Sequence, residues 1–442
     1  MKRIIVRDLE QWQQKKNRKP LLLLGVRQTG KTWILKEFGK KYFTDVHYLN
    51  FEHNKQAHAL FEKDFDPKRI LNDLSYLLKK TIDTKNELVI FDEIQACPEA
   101  LTSLKYFAEQ MPELTLCCAG SLLGLHLGDS SFPVGKVDIL QMHPMCFAEF
   151  LEAVGDKKSL ELLSHCKLGD TISDIVHAHL WQQFKNYLIV GGLPEVVKTW
   201  LENKENTLLA TTLVRQKQNE LILGYYADIA KHAGKVNAMH IDRVWRAIPA
   251  QLAKTQDGNA KRFQFQNIVP GVDRYQRLAN VIDWLIAAKL IIKVPIIEHT
   301  ESPLSAWVNE SCFKLYLFDV GILGALSDLS PAAILDYDYG TYKGYFAENF
   351  VAQEFTAKNI SHLYSWQKDR AELEFLYPFH NHILPIEVKS GWVTRNQSLN
   401  KYAEKYHPLY RTIFSAKTLH IDQKHHYHQY PLYMAWWFPL SS

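Results

Sequence analysis

The sequence has no C-x-x-C pair, no apolar run near the ~20 residues a membrane span needs, no low-complexity tract and no repeat of fixed period. Each absence removes a class of protein. Six cysteines (97, 117, 118, 146, 166 and 312) without framework spacing argue against a disulfide-stapled scaffold and suit free thiols in a reducing compartment. Met1 to Leu9 carries charges where a secretory leader holds an apolar core, so an untargeted cytoplasmic protein with no membrane partner is expected. Charge of one sign is scarce too. Lysine and arginine (52) exceed aspartate and glutamate (48) by only four, so a nucleic-acid surface would have to be local. What the chain does have is length and apolar content: 442 residues, 47% of them hydrophobic, enough for two to four domains.

The most informative stretch is Leu21 to Thr32, LLLLGVRQTGKT. Gly25, four arbitrary residues, then Gly30, Lys31 and Thr32 form the phosphate-loop pattern, placed directly after an apolar strand. The glycines let the N–H groups of Gly25, Val26, Arg27, Gln28, Thr29 and Gly30 curl around a polyphosphate, and a helix starting near Lys31 aims its positive end at the same anion. Lys31 adds a mobile charge on the outer phosphates, and the Thr32 hydroxyl suits magnesium. These groups describe a nucleotide triphosphate site. Arg27 either reaches a phosphate or another subunit, or is a solvated loop residue.

Leu88-Val89-Ile90-Phe91-Asp92-Glu93 supplies the second half: a strand apolar on both faces, as in a covered parallel sheet, ending in two acids. Asp92 can hold magnesium or its waters, and Glu93 can deprotonate the water that attacks the terminal phosphate. Val46 to Glu52 reads as a strand between the two motifs, and Leu114 to Ala119 as a further strand closing in Gly120-Ser121. Ser121 is either a sensor of the terminal phosphate or a plain turn serine.

GVRQTGKT after LLLL, HYLNFE, LVIFDEIQACPEAL, AGSLLG and VGGLPEVV together resemble a large group of prokaryotic ATP-binding proteins. The resemblance covers almost the whole chain. It implies an AAA-type ATPase domain using ATP and magnesium, a small helical lid, and a C-terminal domain of uncharacterised function related to restriction endonucleases. The family often has an arginine near Lys136, so the lysine in this chain weakens an arginine-finger role there. AAA relatives frequently complete their sites across subunits, which leaves self-association open.

The expected fold class is α/β: an AAA-like P-loop core over residues 1–150, a helical lid and bridging helices over 151–235, a winged-helix-like segment over 236–300 and a restriction-endonuclease-like domain over 301–442. Helices are expected from Asp174 to Val190, stopped by Gly191-Gly192, and again from Pro194. Ile241 to Ala253 and Arg274 to Ala288 read as helices followed by a strand from Leu290, the order of a winged helix. Lys261, Arg262, Arg274 and Arg277 supply charge there for double-stranded DNA, or form a solvated face.

In the last third, Ala371 to Phe375 and Pro385 to Lys389 read as adjacent strands. An acid on one (Glu374, or Glu372 on its face) and Glu387-x-Lys389 on the next is the layout of PD-(D/E)xK nucleases, with Glu348 as a third acid from a helix. The family usually has aspartate where this chain has Glu374. Two readings stay open: an ATP-dependent DNA nuclease, or a degraded nuclease fold whose charges pair within a domain kept for binding or scaffolding. His425, His426 and His428 read as surface residues between strands.

Overall fold

The computed structural model describes residues 1–121, 132–256, 262–336, 342–360, 362–392 and 396–440. Lys261 and the Leu122 to Gly124 end of the AGSLLG motif lie outside them. The chain divides into two units, Met1–His143 with Ala287–Lys289, and Pro144–Ile286 with Leu290–Ser442. No helix among the described residues is long and apolar enough to cross a membrane.

In the first unit the elements run α1 (Ile5–Gln13), β1 (Leu21–Gly25), α2 (Lys31–Tyr42), β2 (Val46–Asn50), α3 (Pro67–Leu78), β3 (Leu88–Asp92), α4 (Pro98–Gln110), β4 (Thr115–Gly120) and β5 (Asp138–Met142). The strands form one parallel sheet in the order β2-β3-β4-β1-β5. The continuous apolar runs follow from cover on both faces. Leu21, Leu23, Leu88 and Ile90 pack on one side with Ile34, Leu35 and Phe38 of α2. Leu22, Leu24, Val89 and Phe91 pack on the other with Ile70 and Leu74 of α3 and Leu104 and Phe107 of α4. Edge strand β5, half-exposed and with alternating burial, is the strand of this unit that sequence reading passes over.

The second unit begins with helices α5 (Phe147–Val154), α6 (Lys157–His165), α7 (Asp174–Val190), α8 (Pro194–Asn203), α9 (Thr207–Ala233), α10 (Lys235–Gln256) and α11 (Tyr275–Ala287). Then come β6 (Ile291–Ile297), β7 (Phe313–Leu317), α12 (Val320–Leu326), α13 (Pro331–Asp336), α14 (Tyr342–Ala357), β8 (Tyr364–Lys368), β9 (Ala371–Phe379), β10 (His382–Val388), α15 (Gln397–Tyr406), β11 (Arg411–Ser415), β12 (His420–Asp422) and β13 (Tyr427–Pro431). The eight strands order as β12-β13-β11-β10-β9-β8-β6-β7. Strand β6 pairs antiparallel with β7 and parallel with β8. The strand at the end of the expected winged-helix-like segment is therefore shared with the large sheet. Its buried Ile291, Val294, Ile296 and Ile297 need cover that a free wing would not provide.

Phe355 of α14 meets Phe375, Tyr377 and Phe414 on one sheet face. On the other, Leu399 and Tyr402 of α15 join Trp366, Leu373 and Ile413. The β8–β9 ladder shifts register between Tyr364–Leu376 and Trp366–Leu373, so β9 carries one extra residue at Glu374-Phe375. One histidine corrects the sequence reading. His428 is buried in β13, stacked on Tyr410 at 3.8 Å, and burial holds its imidazole down to about 4.

Candidate functional site

The phosphate-type loop spans residues 26–30, between the end of β1 and the start of α2. Gly30 has φ +91°, a conformation that strains any side chain. The loop is braced from within. Buried Thr29 donates its hydroxyl to the Val26 carbonyl at 2.8 Å, and the Arg3 guanidinium donates to the carbonyls of Thr29 (2.8 Å) and His143 (2.6 Å). Lys31 Nζ donates to the Gly25 and Val26 carbonyls, both at 3.0 Å. Burial pushes this ammonium down to about 8, against the opposing pull of Glu93 and Asp92.

Asp92, at the tip of β3, gathers donors from α2 and β2. Its Oδ2 accepts the Thr32 hydroxyl at 2.8 Å, the Tyr48 hydroxyl at 2.7 Å and the Asn50 amide at 3.5 Å. Burial, reinforced by Asp92, pushes the Tyr48 hydroxyl up to about 12, so it stays a donor. Glu93 sits just past the strand with φ +50°, unusual for a glutamate and a sign of local strain. Gln95 donates its amide to Glu93 Oε2 at 2.5 Å and accepts the Ser121 N–H at 3.3 Å. Ser121 thus reaches the acid through its backbone and Gln95. Arg27 makes a half-exposed ion pair with Glu52 at 3.4 Å, and Lys136 pairs with Glu109 at 2.8 Å.

Arg3, Tyr48, Asn50 and Gln95 were not singled out from the sequence. Tyr48 and Asn50 had a signal, since both fall on one face of β2 by the two-residue period of a strand. Arg3, 26 residues from Thr29, had none.

The second unit holds the other constellation. The β9–β10 ladder ends at Phe375–Ile386, and beyond it the Glu374 carboxylate accepts the Val388 N–H at 2.8 Å. Lys389 Nζ lies 2.8 Å from Glu387 Oε1, while Glu387 Oε2 is buried without a hydrogen-bond partner. Glu348, on α14, accepts the Tyr316 hydroxyl at 2.6 Å and Lys314 at 3.3 Å, and Lys314 also reaches Glu372 at 2.6 Å. Burial pushes the Glu374 and Glu387 carboxyls up, with Lys389 opposing the shift of both. Glu348, Glu374, Glu387 and Lys389 therefore share one electrostatic cluster, to which sequence reading had not added Lys314 and Tyr316. Among the described residues, only Asp45, His47 and Glu87 bring three metal-type ligand atoms within 4.8 Å. That group lies at the opposite end of β2 and β3 from the loop, with Lys80 already on Asp45 at 2.6 Å.

Residues 17–151 match the model of an AAA domain. The N-terminal unit carries an AAA-type P-loop domain. The AAA domain is followed by matches to two domains of unknown function, DUF8612 over residues 182–333 and DUF4143 over residues 343–433. No curated protein matches the sequence significantly. Similar solved structures include the Aeropyrum pernix ORC1 protein in complex with DNA (14% identity, 75% of this chain and 92% of that one, TM-score 0.27). Others are the Thermotoga maritima RuvB Holliday junction branch migration motor (15%, 67% and 90%, 0.32) and AMPPCP-bound DnaA from Aquifex aeolicus (16%, 64% and 87%, 0.28).

Proposed function

We propose that the AAA domain hydrolyses ATP with magnesium and that its nucleotide state governs how the second unit engages DNA. The observation that carries the hydrolytic half is the 2.8 Å contact of Thr32 Oγ1 with Asp92, beside the buried Lys31. A hydroxyl and a carboxylate at that separation are the hard oxygen donors a magnesium ion takes together with its waters. When bound, the ion would supply charge neutralisation at the outer phosphates. Lys31 holds a positive charge at the loop mouth, the backbone N–H groups cradle the anion, and Glu93, oriented by Gln95, accepts a proton from water. The test is direct. Lys31→Ala should lose ATP binding by calorimetry. Glu93→Gln should keep it and lose at least about 100-fold in turnover. Equal turnover in Glu93→Gln and wild type would remove the assignment.

Support for the coupling comes from α14. Its Glu348 lies in the acid–lysine cluster, and six residues further along Glu354 accepts the Phe147 N–H at 2.9 Å. Next to it, Gln353 accepts the Val320 N–H and donates to the Tyr187 hydroxyl, both at 2.8 Å, and Tyr187 bonds the Met145 carbonyl. Met145 and Phe147 belong to the segment that follows β5 in the chain, and Arg3 ties the P-loop to His143 at the end of that strand. One helix thus holds both the cluster and the segment with which the second unit begins.

A second reading, DNA cleavage at Glu374, Glu387 and Lys389, is favoured by the buried, partnerless Glu387 Oε2, which fits a cation ligand. Lysines neutralise these carboxylates as they stand, so a divalent ion would have to draw them together. Magnesium-dependent cutting that survives Lys389→Ala would rule this reading out.

A further inference from the structure

A cavity of about 620 Å³ opens on the second unit, lined by Arg262, His299, Trp307, Asn309 and Gln367, by Ile296 and Cys312, and by two acids, Glu298 and Asp369, which confine a bound strand's phosphates to the Arg262 side. From this geometry we infer that it receives one unpaired nucleobase of a nucleic-acid strand whose backbone runs on to the acid–lysine cluster. The inference rests on the reading of this unit as one that engages nucleic acid, and it names the form: a strand with an unstacked base.

Position is the first argument. Gln367 pairs across the β8–β9 ladder with Glu372, and directly paired residues point to the same sheet face. Ile296 pairs with Ser365, two residues before Gln367, and so shares that face. It is the face covered by α14: Glu372 bonds Lys314 at 2.6 Å, and Lys314 bonds Glu348 of α14 at 3.3 Å. Glu374 lies two residues beyond Glu372, at the β-bulge. Gln367 and Ile296 of the cavity wall thus share a face with Glu372, while Leu304 and Val308, which flank Trp307, pack with the apolar cluster on the α15 face, so the cavity spans the sheet's end next to Glu372.

Chemistry is the second. Trp307 leaves 42% of its surface exposed, a large apolar face at the cavity and a costly one to leave in water. The ring is nonetheless held in place. Its indole N–H donates to the Glu301 carbonyl at 2.9 Å, and His299 lies against it with centroids 4.7 Å apart and planes tilted by 38°. A fixed aromatic platform of this kind suits stacking by any base. Polar edges surround it. Asn309 Oδ1 is taken by the Ser311 N–H (3.0 Å) and hydroxyl (2.9 Å), which leaves the amide N–H groups to donate outward. The half-buried Gln367 amide offers a donor and an acceptor, as recognition of a base edge requires. Arg262 supplies an exposed guanidinium, suited to a phosphate. The volume lies within the range of small-molecule sites. A paired base inside a duplex could not present its flat face to Trp307, so the strand must be single or locally opened.

The test is fluorescence anisotropy with the full-length protein and two labelled single-stranded ten-mers, oligothymidine and its abasic counterpart with the same phosphates. Trp307→Ala should weaken oligothymidine binding about tenfold and leave the abasic strand unchanged, while Trp307→Phe keeps most of the affinity. Melting curves of both variants guard against loss of fold. Equal affinity of wild type and Trp307→Ala for oligothymidine overturns the pocket, yet leaves DNA engagement elsewhere on the unit intact. Wild-type protein that binds neither strand nor a duplex defeats the underlying reading, and the pocket with it.

Discussion

Gln95 shows how much of the site depends on one uncharged side chain. It bridges Glu93 and the Ser121 N–H at the end of β4, so it fixes the acid's direction without altering its charge. Gln95→Ala should therefore lower ATP turnover about tenfold with little change in ATP affinity, as steady-state kinetics beside calorimetry will show. Glu354 carries a different consequence. Burial lifts its carboxyl to about 8, so the folded chain holds a proton there that an unfolded glutamate releases near 4.5. Between those values the native state binds more protons than the unfolded one, so this group's contribution to stability is full at acid pH and falls as pH rises toward 8. Glu354→Gln keeps the acceptor for the Phe147 N–H and should flatten the decline by up to about 1.4 kcal/mol per pH unit, measured by urea titration at pH 5, 6, 7 and 8.

At the scale of elements, the α7–α8 turn and strand β7 make the sharpest demands. A Cβ on Gly192 would fall 2.1 Å from the Met145 carbonyl oxygen, where Met145 itself donates to the Gly192 carbonyl at 2.7 Å. Backbone cannot yield as a flexible side chain would. Gly192→Ala should thus cost about 2–3 kcal/mol or more by denaturant unfolding, with the loss confined to the second unit. Lys314 of β7 is buried between Glu348 and Glu372. Removing it strands two acids, one of them fully enclosed, and Lys314→Ala should destabilise that unit by about 3–5 kcal/mol in the same assay.

For the whole molecule the question is whether nucleotide and DNA sense each other. Linkage requires that any effect of ATP on DNA affinity be matched by an equal effect of DNA on ATP affinity. Filter binding with and without ATP should show a difference of about fivefold or more, and Gln353→Ala, which releases α14 from Val320 and Tyr187, should shrink it while leaving ATP affinity without DNA unchanged. Identical DNA affinity in both nucleotide states would end the coupling proposal.

The phosphate loop, the buried strands β1 and β3, and helix α7 up to Gly191 could all be read from local letters. Left-handed glycines, continuous apolar runs and helix stops act on the backbone within a few residues of themselves. Strand β5 could not, because at the half-wet sheet edge its burial alternates while its letters, DILQM, do not alternate between polar and apolar. Nor could the contact of Arg3 with the loop, the lysine shared by Glu348 and Glu372, or the entry of β6 into the large sheet. Each of these joins residues far apart in the chain, and their meeting depends on which apolar faces find cover and which buried charges find partners once the chain has closed. Local sequence determined the parts that could grip a triphosphate; tertiary packing decided which distant side chains brace that grip and which acids gather around Lys314 and Lys389.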